Sequence, residues 1–210
     1  QEGGAIKSYK PASGDYSFDV EQDTDLLWAT TPKHTGEIEG GGTKEYEAGV
    51  AINPRTGNVP LRFDHAMSQI SFKLQSTEGA DKVELDGATL SLAQVVKKGT
   101  IEPANGTITP SAVAENKADL PLTTDPSIVV PQTLTDEMIL TIRLKDNTTT
   151  YKIALNKCLT NETGTAVTTW EGGKHYTYTI TLKKEAVQLI AFVKNWTEVN
   201  VNGDANLDWD

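Results

Sequence analysis

The stretch Tyr176-Thr177-Tyr178-Thr179-Ile180-Thr181-Leu182 puts Tyr176, Tyr178, Ile180 and Leu182 on one side of the chain and three threonines on the other. Strict alternation over this length is the two-residue period of a strand with one buried face, and threonine suits the solvated face of a pleated sheet. The same period recurs outward from it. Met138, Leu140, Ile142 and Leu144 alternate, Asp146-Asn147 with the threonines after them make a turn, and Tyr151, Ile153 and Leu155 alternate back, which predicts a hairpin. Val187, Leu189, Ala191 and Val193 line one face of a further strand. Its other face, Ile190 and Phe192, is apolar as well, and such a strand is expected to be covered on both sides. Shorter strands are expected at 15–20, 26–29, 120–123 and 127–130.

Two changes of phase locate irregularities. Val59, Leu61 and Phe63 are apolar at odd positions, Ile70, Phe72 and Leu74 at even ones. One slipped residue inverts every side chain, so strands at 59–63 and 70–74 require a bulge or a single helical turn at 64–68, with Asp64 as its cap. Val83 and Leu85 switch likewise to Leu90 and Leu92 across the turn signal Asp86-Gly87. Helical periodicity is nearly absent, and without crossover helices the expected fold is all-β, an antiparallel β-sandwich. Residues 31–58 read as a boundary loop rich in Gly and charge. The expected organisation is therefore a partial or compact N-terminal β region (1–57), a main sandwich (58–198) and a C-terminal strand or tail (199–210).

Composition excludes several functions. Against 19 basic residues stand 29 acidic ones, a net charge of −10. That leaves no basic surface for nucleic acid or for an anionic membrane. The longest apolar run, Leu189 to Val193, is far shorter than the roughly 20 residues of a spanning helix. No basic region followed by an apolar stretch opens the chain, so the expectation is that any export signal has been removed. The single cysteine, Cys158, rules out an intramolecular disulfide framework and reads as a small buried thiol.

Chemistry is scarce. His34, His65 and His175 have no metal-ligand spacing. There is no nucleophile elbow, phosphate loop or His-Glu-x-x-His. Asp23-Thr-Asp25 resembles a fragment of a calcium loop but lacks its Gly and distal Glu. Catalytic, metal and cofactor sites are thus expected to be none. Trp28 and Trp196 flank apolar strands and read as core plugs. Trp170 is the residue on which a carbohydrate-binding sandwich would depend.

In order, Asp25-Leu-Leu-Trp-Ala29, Leu61-Arg-Phe-Asp-His-Ala-Met-Ser-Gln-Ile70, Val130-Pro-Gln132, Gly173-Lys-His-Tyr-Thr-Tyr178 and Trp196-Thr197 resemble the fimbrillin family. These are pilus subunits and fimbrial anchor or tip proteins of gut and oral Gram-negative anaerobes. Members usually carry a much longer stretch before the first of these segments. The resemblance implies transthyretin-like β-sandwich domains, export as a lipoprotein precursor to the outer-membrane surface, polymerisation with other fimbrial subunits by strand exchange, and no catalytic residues. Phe63, His65, Met67 and Ile70 become motif positions, with His65 structural at the phase change, its imidazole bonding backbone groups freed where the ladder breaks. The leading expectation is a fimbrial adhesive subunit, able to form a homopolymer, that contacts the membrane only through a removed or absent lipid anchor. The rival is a surface carbohydrate-binding module.

The C-terminus adds a reading of its own. Val199, Val201, Gly203, Ala205, Leu207 and Trp209 share one side, and Asn and Asp residues the other. Period two over this length marks a strand with one buried face. Val199, Val201, Ala205, Leu207 and Trp209 are therefore the apolar face either of the last strand of the chain's own sheet or of a donor strand for a neighbour.

Overall fold

The computed structural model describes residues 18–30, 34–37, 42–46, 62–102, 105–123, 125–145, 149–160, 163–184 and 186–196. In chain order these form β1 (Phe18–Glu21), β2 (Leu27–Thr30), β3 (His34–Glu37), β4 (Thr43–Tyr46), β5 (Arg62–His65) and β6 (Ser68–Ser76). Next come β7 (Thr89–Val96), β8 (Lys98–Glu102), β9 (Thr107–Pro110), β10 (Lys117–Leu122), β11 (Ser127–Val129) and β12 (Gln132–Thr133). The chain continues through β13 (Ile139–Arg143), β14 (Thr150–Ala154), β15 (Leu159–Thr160), β16 (Thr169–Trp170), β17 (Lys174–Lys183) and β18 (Ala186–Asn195). No α-helix occurs among the described residues, and so none long and apolar enough to cross a membrane.

Two sheets share the main core, one ordered β10-β7-β13-β14 and the other β11-β6-β17-β18-β15. The all-β sandwich expected from the alternation is what forms. Tyr176, Tyr178, Ile180 and Leu182 of β17 are buried and meet Leu92, Leu140 and Ile142 from the other sheet. The hairpin is β13–β14, with Leu140 opposite Ile153. At Gln94, where φ is 57°, β7 bulges, and the two successive residues Val95 and Val96 are both buried.

Three features differ from the sequence reading. Pairing is not antiparallel throughout: β6 and β17 run parallel from Gln69–His175 to Ser76–Leu182. No crossover helix is needed, because the intervening strands of the opposite sheet bring the chain back to the same end. A hairpin, β3–β4, stands inside the stretch whose composition reads as loop. Among the described side chains of β18, Ala191 and Val193 pack with the main core, and Ile190 on the opposite face is half-buried. Phe192 on that opposite face is 37 % exposed, and Leu159 of the flanking β15 is 50 % exposed, so among the described residues this face is only partly covered.

Candidate functional site at the junction of the sheets

A second apolar cluster, Val20, Ala66, Met67, Ile101 and Val130, sits beside the main core with Leu26, Trp28 and Trp196 packed around it. The sequence motifs converge here. β5 pairs with β2, His65 opposite Leu27. The ladder then stops for Ala66 and Met67 and resumes at Ser68 in the five-stranded sheet. The expected break thus spans two residues, not 64–68, and contains no helical turn. Asp64 is not a cap: it lies in the ladder opposite Trp28 and accepts bonds from the Arg62 guanidinium at 2.9 and 3.1 Å. Two inserted residues suffice to move Met67 into the second cluster while Ile70 enters the main core. Phe63 is half-buried. Val59 and Leu61 lie outside the described residues.

His65 closes the strand, its side chain 7 % exposed. Nδ1 lies 3.0 Å from Oδ1 of Asp25. The ring stacks on Trp196 with centroids 3.8 Å apart and planes 4° from parallel. The partners are therefore a carboxylate and an indole rather than freed backbone groups. The freed groups find other partners: Ala66 N–H donates to Leu26 O at 2.8 Å, and Gly173 N–H donates to Met67 O at 2.9 Å. Trp196 N–H donates to Gly173 O at 2.8 Å. Gly172 is required because a Cβ there would stand 2.5 Å from the Ala66 carbonyl oxygen. The first link (25), the phase change (65–67), the β16–β17 turn (172–173) and the end of β18 (196) thus meet in one knot.

Ser68 Oγ donates to Glu171 O at 2.7 Å, and Trp170 Nε1 donates to Tyr178 Oη at 2.8 Å. Trp170 is fully buried. It is a core residue, and the sugar-stacking role considered for it fails for want of an exposed face. Burial pushes the Tyr178 phenol far above its ordinary range and the Cys158 thiol up to about 12. His175 Nε2 lies 3.0 Å from Ser71 Oγ, and burial, then Lys194 and Lys73, hold its pKa below the usual value. Among the described residues no group of three or more His, Cys, Asp or Glu is placed to hold a metal. Asp25 bonds His65 instead.

Sequence reasoning missed the Asp25–His65 pair, because 40 residues separate its members. It also left Gln132 without a role. Val199, Val201, Ala205, Leu207 and Trp209 lie outside the described residues.

A family described as fimbrillin-like matches residues 10–196 of the chain. Among solved structures, a putative cell adhesion protein from Bacteroides uniformis superposes with a TM-score of 0.62 at 18% identity, covering 91% of this chain and 71% of that one. A putative cell adhesion protein from Bacteroides ovatus gives 0.52 at 17% identity, covering 94% and 74%. These likenesses show the fold. No curated protein matches the chain.

Proposed function

The chain belongs to the fimbrillin-like family, and from that premise we propose that it is a fimbrial subunit assembling by β-strand exchange. It is a cell-surface structural protein of the fimbrial, adhesive kind and not an enzyme. In this reading residues 58–198 are the main unit, 1–57 add pairing strands to it, and the alternating segment 199–210 is the donor. Its partners are other fimbrial subunits, and it reaches the outer-membrane surface as a lipoprotein precursor.

One observation carries the reading. Trp196 is held by the His65 ring and by Gly173 O, so the alternating segment sets out from a fixed point. An acceptor is available as well. Among the described residues β11 pairs only with Ser68–Ile70, so residues 71–76 of β6 have β17 on one side and no strand on the other. An unpaired edge of that length is a template for β-strand addition.

The test is deletion of residues 199–210, with urea unfolding and light scattering measured side by side. An unchanged unfolding midpoint with loss of polymer is expected. A truncated chain that no longer folds would place the segment in its own sheet and end the donor reading.

A further inference from the structure

Opposite the junction, a groove of about 590 Å³ lies between the 82–86 link, the β13–β14 hairpin and the end of β17. That volume is within the range of small-ligand sites. Its floor is apolar and aromatic: Val83 is buried in the main core, and Leu144 and Tyr151 pack against that core's edge. Tyr151 Oη donates to Lys183 O at 3.1 Å, which fixes the ring at the groove.

Lys82, Lys145 and Lys184 stand around it, in a protein of net charge −10. They differ in what they do. Lys145 is structural: its stem crosses Gly87, where a Cβ would approach its Cδ to 3.1 Å, and its ammonium pairs with Asp86 at 3.2 Å. Glu84 is turned to the backbone, Oε1 accepting from the N–H groups of Leu85 and Asp86. Lys82 and Lys184 have no ion-pair partner among the described residues.

We infer that this groove binds an acidic saccharide, a pyranose-sized ring bearing a carboxylate or a sulfate. A sugar ring presents an apolar C–H face that fits an aromatic floor, and its anion supplies the charge that Lys82 and Lys184 lack. A purely apolar ligand would leave both ammonium groups unmatched at the rim. A neutral sugar would use the floor alone. The assignment rests on the adhesive reading for a sugar as the carrier of the anion, and it gives that reading a ligand class.

The full chain is titrated by calorimetry with 3′-sialyllactose, with a sulfated disaccharide and with lactose. At least one of the two acidic sugars saturates below about 1 mM and lactose binds at least about tenfold more weakly, and which acidic sugar saturates tells carboxylate from sulfate. Lys82→Ala/Lys184→Ala, both on the surface, weakens the acidic ligand about tenfold or more without moving the melting temperature. Absence of saturation by both acidic sugars, equal binding of lactose, or unchanged affinity in the double variant overturns the inference. Light scattering on the same variant reads polymer formation separately from sugar binding, so failure of the one reading is seen apart from failure of the other.

Discussion

The carboxamide of Gln132 completes the backbone bonding of Val96. Its Oε1 accepts the Val96 N–H at 2.9 Å, and its Nε2 donates to Val96 O at 3.1 Å and to Val130 O at 2.9 Å. One side chain acts as a short length of strand beside β7, which β10 still pairs at Val95 and Val96 but β13 no longer pairs beyond Leu92. Buried backbone groups without partners are costly, so a residue with both donor and acceptor is needed there.

Gln132→Leu keeps the bulk and removes all three bonds. Unfolding in urea is expected to show a loss of about 2–4 kcal/mol, because Val96 N–H and two carbonyls are left unpaired in the interior. A loss within error of zero would mean that water or a shifted strand satisfies them.

The His65–Trp196 stack should be measurable as a coupling. In a double-mutant cycle with His65→Ala and Trp196→Ala, an interaction energy of about 0.5–1.5 kcal/mol is expected. The Asp25→Asn variant tests the third member, and should lower stability while leaving the stacking coupling in place. Additive single effects would show that the rings merely lie near each other.

Two glycines separate a steric requirement from a conformational one. At Gly172 an added Cβ meets a backbone carbonyl at 2.5 Å, whereas at Gly164, φ +64°, it meets nothing within 4 Å. Gly164→Ala should cost about 1–2 kcal/mol from left-handed backbone alone. Gly172→Ala should cost more, because the Ala66 carbonyl belongs to the junction and cannot move without it. The reverse order in thermal unfolding would refute this assignment.

Acid sensitivity follows from His175. Its pKa is lowered in the folded protein, first by burial and then by Lys194 and Lys73, from an ordinary value of 6.5. The unfolded chain therefore takes up the proton first, and stability contributed by the neutral ring is lost as pH falls from above that value through the lower folded one. Urea midpoints should drop between about pH 7.5 and 5.5 and drop less in His175→Gln. An identical pH slope in the variant would assign the acid sensitivity to other groups.

Cys158 should be silent while the protein is folded. With the thiol buried and its pKa raised to about 12, the thiolate that reacts is nearly absent. Labelling by a thiol reagent should follow the unfolding rate, and prompt labelling of the native protein would contradict the burial.

Much of the sandwich is visible along the chain. The alternation at Tyr176–Leu182 and at Met138–Leu155 marks strands and a hairpin, because side-chain period is a local property. The phase change between Phe63 and Ile70 locates the irregularity, although its width, two residues at Ala66–Met67, shows only in the tertiary packing that seats Met67 in the second cluster and Ile70 in the main core. The hairpin β3–β4 carries no alternation to read. The 82–85 segment shows the opposite: Val83 is buried and Leu85 half-buried, yet neither is in a strand. Burial alone does not require a ladder.

What the sequence by itself determined is which residues face inward, where the strands turn, the acidic surface and the family. The tertiary structure alone decided partners: that β6 lies parallel to β17, that His65 meets Asp25 and Trp196, that Gln132 replaces a missing strand at Val96, and that Trp170 is core while Tyr151 lines a groove. The reason is physical. A residue's period and polarity are written in its neighbours along the chain, but which distant segment covers it depends on the packing of all the segments at once, and that sum has no local signature.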